Sequence, residues 1–161
     1  VLWGAALHLA RLLHTRRADW LKPVDGSKSP DRSTSQDARP LVLELGCGCA
    51  LASLVANDAG CQVIASDYNE KILQQARYNF ALNNCDPTSG PRAIMLDWND
   101  AVIAEGGAGV PANLINAADV VFGSDLIYGM QAPVPLFSML AAVTRVGGLA
   151  LVATRDGRRG V

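Results

Sequence analysis

Residues 41–67 read LVLELGCGCALASLVANDAGCQVIASD. The segment opens on the apolar run 41–45, breaks at the closely spaced Gly46 and Gly48, and continues through LASLVANDAG, a helix-length stretch with Gly60 as its C-terminal cap. A second apolar run, 62–66, then ends on Asp67. Strand, glycine turn, helix and strand make a β-α-β unit, because parallel strands need a crossover and a helix supplies it. Downstream, RAIML (92–96), DVVFG (119–123) and LALVA (149–153) read as further strands. Between them, 69–83 reads as a helix with Ile72, Leu73, Ala76, Phe80 and Leu82 on its apolar face, and 133–146 as another, opened by Pro133 and closed by Gly147-Gly148. Alternation of this kind predicts an α/β fold, a doubly wound, mainly parallel Rossmann-like sheet with helices on both faces.

Upstream of this core, Leu2, Ala5, Ala6, Leu9, Leu12 and Leu13 recur at helical spacing, so 2–16 reads as an amphipathic helix ending in basic residues. The stretch PVDGSKSPDRSTSQDARP, 23–40, is nearly devoid of apolar side chains and reads as a mobile surface loop. The 161 residues, 50% hydrophobic and with net charge −1, fit one domain spanning 1–161 and exclude a disordered tail. That neutrality divides unevenly, net +3 over 1–40 and net −4 over 41–161. The basic residues of the first part are interspersed with acids and lack interleaved aromatics, a poor phosphate track, so no nucleic-acid partner is expected. No apolar run reaches the ~20 residues of a bilayer span, so no membrane partner is expected either. Cys47, Cys49, Cys61 and Cys85 show neither CxxC spacing nor a nearby His pair. They predict no metal site and a reducing compartment, the cytoplasm or the nucleus. The first residue is Val and the chain stops soon after its last strand, which reads as a fragment or a trimmed chain.

In a sheet of this kind ligands bind beyond the carboxyl ends of the strands, so the turn Glu44-Leu45-Gly46-Cys47-Gly48-Cys49-Ala50 is the candidate site. Asp67, at the end of the second strand, stands where a carboxylate accepts both hydroxyls of a ribose. A dinucleotide fingerprint requires Gly or Ala at position 51, and this chain has Leu51. A phosphate-binding P-loop requires a Lys after the glycines, and none follows. A nucleoside without phosphates remains, and Glu44 before the turn suits a cationic group on it. S-adenosyl-L-methionine, with its sulfonium and ammonium, meets that description.

These residues carry a family resemblance. The chain resembles the class I, seven-strand S-adenosylmethionine-dependent methyltransferases, and within them the lysine methyltransferase-like subfamily that modifies elongation factors and chaperones. Four stretches match: Leu2-Trp3-Gly4-Ala5-Ala6; LVLELGCGCALASLVA; ASDYNEKILQQARYNFALN; and LDWND followed by DVVFGSDLIYG. The resemblance implies that Gly46, Cys47 and Gly48 pass under the methionine moiety, that Asp67 holds the ribose with Tyr68 and Asn69 beside it, and that Asp97 and Trp98 flank the adenine. It places Ser124 near the methionine part and Trp3 above the cofactor. On position alone, a Trp on an apolar helix face packs into a core more often than it meets a ligand. The family usually has Gly where this chain has Ala50 and a small hydroxyl residue where it has Cys49; the added methyl either presses on the cofactor or is absorbed by a backbone shift. The family also completes its sheet with an antiparallel hairpin after the fifth strand, and too few residues follow Ala153 to form one.

Asp125-Leu126-Ile127-Tyr128 matches the subfamily's D-x-x-Y motif, which lies between cofactor and acceptor. Methyl transfer is an in-line displacement, so the protein mainly aligns the nucleophile behind the methyl group. A lysine acceptor must lose its proton, its ordinary pKa being about 10.4. Asp125 is expected to orient the incoming ammonium, and Tyr128 to line a partly apolar channel that favours the neutral amine. The expected activity is methyl transfer to a protein lysine by a monomer. Two alternatives stay open: a small-molecule N-methyltransferase, since the Leu-Trp-Gly opening and ASDYNEKIL are shared with relatives described as nicotinamide methyltransferase-like, and a scaffold that binds cofactor without turnover.

Overall fold

The computed structural model describes residues 4–21, 39–101, 110–127 and 133–154. Trp3, Tyr128, the loop stretch 22–38 and the tail past 154 lie outside the described residues. The chain begins with helices α1 (Gly4–Thr15) and α2 (Arg17–Trp20), followed by β1 (Leu41–Glu44), α3 (Leu51–Asp58), β2 (Gln62–Asp67), α4 (Glu70–Leu82) and β3 (Arg92–Met95). Short 3₁₀ turns at Trp98–Ala101 and Ala112–Leu114 precede β4 (Ala118–Ser124), α5 (Val134–Val143) and β5 (Thr144–Ala153).

The five strands form one sheet in the order β3-β2-β1-β4-β5, with every pair among the described residues parallel. The chain winds outward from β1 to β3, returns to the other side of β1 as β4, and continues outward to β5. The order therefore reverses between β1 and β4, where a doubly wound sheet opens a crevice at its carboxyl end.

Alternation along the strands assigns the faces. Val42 of β1, Val63 of β2, and Val120 and Phe122 of β4 join Leu9 and Leu13 of α1, Trp20, and Ala52 and Ala56 of α3 in one buried cluster. On the same face Ala65 of β2 packs with Leu73, Ala76 and Phe80 of α4. The opposite parity, Leu41, Leu43, Ile64 and Val121, packs against Leu136, Met139, Leu140 and Val143 of α5. Helices thus cover both faces, as the alternation of apolar runs predicts. Trp20, 4% exposed, donates its indole N–H to the Leu13 carbonyl at 2.7 Å, which seats the N-terminal helices on the sheet.

Both inner helices end as their sequences require. At α3 the Cys61 N–H reaches the Ala56 carbonyl and the Gly60 N–H reaches that of Asn57, with Gly60 at φ +81°. At α4 Asn84, at φ +53°, takes the glycine's place, with Cys85 N–H to Phe80 and Asn84 N–H to Ala81. Both are Schellman closures, which satisfy carbonyls that a helix end leaves without partners.

Three expectations need correction. The helix expected over 133–146 ends at Val143, and Thr144 already pairs with Ala118, so Gly147-Gly148 lies inside β5 rather than at a helix end. Tertiary partners draw those residues into the strand: Arg145 Nε meets Asp119 Oδ1 at 2.6 Å, and Val146 N–H donates to Asn116 Oδ1 at 2.9 Å. The register then passes from Ala118↔Thr144 to Val120↔Leu149, so β5 bulges by three residues. A Cβ at Gly148 would stand 2.9 Å from the Arg145 carbonyl oxygen, so the bulge requires glycine there. Leu82 and Leu12, expected on apolar faces, are exposed. Leu82 sits in the last turn of α4 beyond the sheet, and on α1 the buried stripe is Ala5, Leu9, Ala10 and Leu13.

Candidate cofactor site

The carboxyl ends of β1 and β2 lie side by side, Glu44 opposite Ala65, and the chain leaves β1 through a turn in which Gly46, Gly48 and Ala50 all have positive φ (59°, 53° and 59°). Two bonds fix it to the sheet, Leu45 N–H to the Phe122 carbonyl and Cys47 N–H to the Ser66 carbonyl, at 2.9 and 2.8 Å. The glycines do different work. A Cβ on Gly46 would stand 2.7 Å from Leu126 Cδ2 and 3.6 Å from the Trp98 ring, so Gly46 lets the ends of β1 and β4 and the turn after β3 close on one another. A Cβ on Gly48 would meet nothing within 4 Å among the described residues. Gly48 therefore faces open space, where the backbone admits a ligand.

Ala50 is fully buried among Cys47, Ala65, Leu73, Ala76 and Phe80. Its methyl turns into the core beneath the turn, and its cost falls on the backbone, a left-handed residue without the freedom of glycine.

Ala50 begins α3 without a side-chain cap, and Glu44 supplies one from the strand. Its Oε2 accepts the Ser53 N–H at 3.0 Å and the Ser53 hydroxyl at 2.5 Å. The Ser66 hydroxyl bonds the Glu44 carbonyl at 2.7 Å. Glu44 is 2% exposed, and burial pushes its carboxyl up to about 7 against the pull of the Ser53 bonds, with the neighbouring Asp67 charge adding to the rise. Asp67 is 8% exposed; its Oδ2 accepts Gly48 N–H at 3.4 Å and its Oδ1 accepts Asn69 N–H at 3.1 Å. Burial raises its pKa as well, opposed by those backbone bonds. Cys47 is buried beside both carboxylates, and burial with their charge holds its thiol far above the ordinary range, so it is no nucleophile.

The remaining expected residues have clear places. Asn69 caps α4, its side-chain oxygen accepting Lys71 N–H at 3.0 Å, and Tyr68 is largely exposed beside it. Asp97 is half-buried, one oxygen accepting both nitrogens of Asn99 at 2.9 and 2.8 Å. Trp98 packs against the cluster beneath α5 with its ring over Gly46. Ser124 ends β4, and Asp125, 7% exposed and at φ +53°, follows it with its N–H on the Ala153 carbonyl at 2.8 Å. The contacts thus gather Glu44, Gly46, Cys47, Gly48, Asp67, Asn69 and Trp98 around one turn; Asp97, Ser124 and Asp125 stand at neighbouring strand ends. Ser53, Ser66 and Leu126 were not foreseen. Ser53 alone left a trace in the sequence, as the one hydroxyl in the apolar run LASLVA.

Neither Glu44 nor Asp67 pairs with a cationic side chain among the described residues. Two buried carboxylates beside open backbone fit a ligand that brings its own positive charge and no phosphate.

A parallel sheet in this order, with a glycine turn after β1 and an acid after β2, is the fold of the class I S-adenosylmethionine-dependent methyltransferases, and S-adenosylmethionine is the cofactor of that class. A family model described as lysine methyltransferase matches residues 1–160, and the chain belongs to that family. Among solved structures the chain is similar to a putative S-adenosyl-L-methionine-dependent methyltransferase from Methanococcus maripaludis, with TM-score 0.59 and 16% identity over 94% of this chain and 63% of that one. It is similar to a putative sarcosine dimethylglycine methyltransferase from Galdieria sulphuraria, with TM-score 0.60 and 11% identity over 86% and 43%. It also resembles phosphoethanolamine N-methyltransferase 2 from Haemonchus contortus, solved with S-adenosyl-L-methionine, with TM-score 0.55 and 19% identity over 73% and 25%. The chain thus spans less than two thirds of the length of each. No curated protein matches it.

Proposed function

We propose that the chain binds S-adenosyl-L-methionine on the 46–50 turn and transfers its methyl group to the side-chain nitrogen of a protein lysine. The observation that carries the reading is the pair of buried carboxylates, Glu44 and Asp67, flanking backbone that is open at Gly48. When bound, the cofactor supplies a methyl carbon made electrophilic by a sulfonium. The chain's own residues do the rest. Asp67 accepts the ribose hydroxyls, Gly46, Cys47 and Gly48 present backbone to the methionine part, and Glu44 contributes negative charge beneath it. Asp97 and Trp98 would flank the adenine, Ser124 would stand at the methionine end, and Trp3 would cover the cofactor.

At the end of β4, Asp125 receives the acceptor ammonium and orients it, and Tyr128 lines the channel in which the neutral amine is favoured. Because the methyl moves by direct displacement, alignment of the amine is the main demand on the protein. Lysine as acceptor is supported by the family's description. A small-molecule amine is the second reading, supported by the similarity to enzymes named for sarcosine and phosphoethanolamine. We place the reaction in the cytoplasm or nucleus, with a monomer acting on a protein partner.

The test is incubation with methyl-labelled cofactor and a cell lysate, followed by mass-spectrometric location of the label. Asn tolerates the left-handed backbone at position 125, so Asp125→Asn removes charge while keeping the turn. It should cut turnover at least about ten-fold with cofactor affinity nearly unchanged, as expected of a residue that meets the acceptor and not the cofactor. Label on small amines alone would refute the lysine reading, unchanged turnover in Asp125→Asn would refute the role of Asp125, and binding without transfer to anything would identify a scaffold.

A further inference from the structure

We propose that Ser53 is a positioning residue for the cofactor: acting through Glu44, it ties the end of β1 to the first turn of α3 and so fixes both the charge and the backbone of the 46–50 turn. The inference rests on the placement of S-adenosylmethionine on that turn.

The geometry is specific. Ser53 occupies the third position of α3, where a helix has a backbone N–H with no partner inside the helix. Such a donor is usually satisfied by the residue that caps the helix, but the cap here is Ala50, whose side chain accepts nothing. Glu44, nine residues earlier and on a different element, takes its place with one oxygen that receives both the amide and the hydroxyl of Ser53. Ser53 is fully buried and Glu44 nearly so, leaving water little part in the link. The bridge closes over the whole turn, since it joins the residue two before Gly46 to the residue three after Ala50. That span holds three positive-φ residues, one of them an alanine, and strained backbone persists only where its surroundings over-determine it.

The link also bears on charge. A buried carboxylate stays ionised at neutral pH only while donors compensate it, and the Ser53 hydroxyl and amide are the donors that pull Glu44 back toward the ordinary range. The groups whose charges reach Glu44 are Asp67 from β2 and Cys47 from the turn, both opposing its ionisation or opposed by it. The titratable groups of the helices on that face, His8, Arg11 and His14 of α1, Arg17 and Asp19 of α2, Asp58 of α3, and Glu70, Lys71, Arg77 and Tyr78 of α4, are all exposed. Ser53 does not itself reach the open side of Gly48. Its effect on the cofactor passes through Glu44.

The experiment is a double-mutant cycle on the full chain with two readouts. Ser53→Ala keeps the amide bond, removes the hydroxyl and suits a helix, and thermal unfolding checks that the variant folds. In the free protein, a ¹³C-carboxyl titration, with the Glu44 signal assigned by its loss in Glu44→Gln, should show the Glu44 midpoint moving upward in Ser53→Ala. In equilibrium binding near neutral pH, Ser53→Ala should weaken S-adenosylmethionine about ten-fold, the scale of one hydrogen bond to a buried charge. In the Glu44→Gln background the same substitution should change affinity less than about two-fold, because coupled residues are non-additive. An equal loss in both backgrounds would make Ser53 merely structural and overturn the proposal, as would an unmoved midpoint or unchanged affinity. A wild-type chain that does not bind the cofactor would overturn the placement on this turn and the proposal with it; a midpoint that still moves would distinguish that outcome.

Discussion

Glu44 makes the stability of this protein depend on pH in a direction opposite to that of most structural carboxylates. A salt-bridged acid has a depressed pKa and stabilises the fold above its unfolded value. Glu44 is buried with no cationic partner among the described residues, and its carboxyl rises from an ordinary 4.5 to about 7. Between those limits the folded chain binds a proton that the unfolded chain has released, so stability falls as pH rises. The contribution is complete below 4.5 and is lost as the pH passes through about 7. A gap of 2.5, at about 1.4 kcal/mol for each, gives a total of about 3 kcal/mol. No screening discount applies, because Glu44 is 2% exposed. Glu44→Gln keeps an oxygen for Ser53 and cannot ionise. Urea denaturation followed by tryptophan fluorescence should therefore show wild type losing about 2.5 kcal/mol relative to Glu44→Gln from about pH 5 to about pH 8, with most of the change between about pH 5 and pH 7. The slope is the test, since the absolute offset includes the cost of burying the Gln amide. Asp67 is raised too, but it remains in both proteins and largely cancels in the comparison. A difference that stays flat within about 1 kcal/mol over that range would mean that Glu44 ionises in the fold as it does in water, and the burial argument would fail.

Two further outcomes follow from the same geometry. Gly48→Ala meets no atom of the described residues within 4 Å, so its structural cost should be limited to the left-handed backbone, about 1–2 kcal/mol by denaturation. Its methyl enters the space assigned to the cofactor, and isothermal titration should give a loss of affinity of about ten-fold or more; unaltered affinity would place the cofactor elsewhere. Asp119→Ala removes the acceptor of Leu41 N–H, at 2.7 Å, and the partner of Arg145 at the opposite end of the sheet, both only partly exposed. It should cost about 2 kcal/mol by urea denaturation with cofactor affinity intact, and a cost below about 0.5 kcal/mol would show that the pair does not pin β1 and β5 to β4.

The parts of this molecule that were legible in its sequence are those governed by local pattern. Apolar runs of five residues between helix-length segments located all five strands, and Gly60 and Asn69 marked the ends of helices they do cap. The boundary between α5 and β5 was not legible, because Thr144-Arg145-Val146 carry no helix breaker. They become strand through Asp119 and Asn116, residues more than twenty positions away. The site divides in the same way. Gly46, Gly48 and Asp67 announce themselves by spacing, whereas the link from Glu44 to Ser53 crosses from a strand to a helix and leaves only a lone hydroxyl in an apolar run.

That division bears on why the turn is built as it is. Burying two carboxylates and a thiol close together, with no cationic partner among the described residues, is unfavourable in a folded chain taken alone. A turn with three left-handed residues adds backbone strain to that cost. The surrounding structure supplies partial relief in the form of hydrogen bonds: Ser53 to Glu44, Gly48 and Asn69 to Asp67, Ser66 to the strand end. None of these neutralises charge. A purely structural turn would gain stability by replacing Glu44 and Asp67 with neutral side chains of similar size, since apolar replacements of buried charge are often neutral or stabilising. The acids make physical sense at these positions if the missing positive charge arrives with a ligand. S-adenosylmethionine carries a sulfonium and an ammonium, and its differential attraction to the ionised turn over the protonated one links occupancy of the site to the charge of Glu44. On the proposed placement, the feature that makes the free protein less stable as pH rises would be the same one that draws the cofactor in.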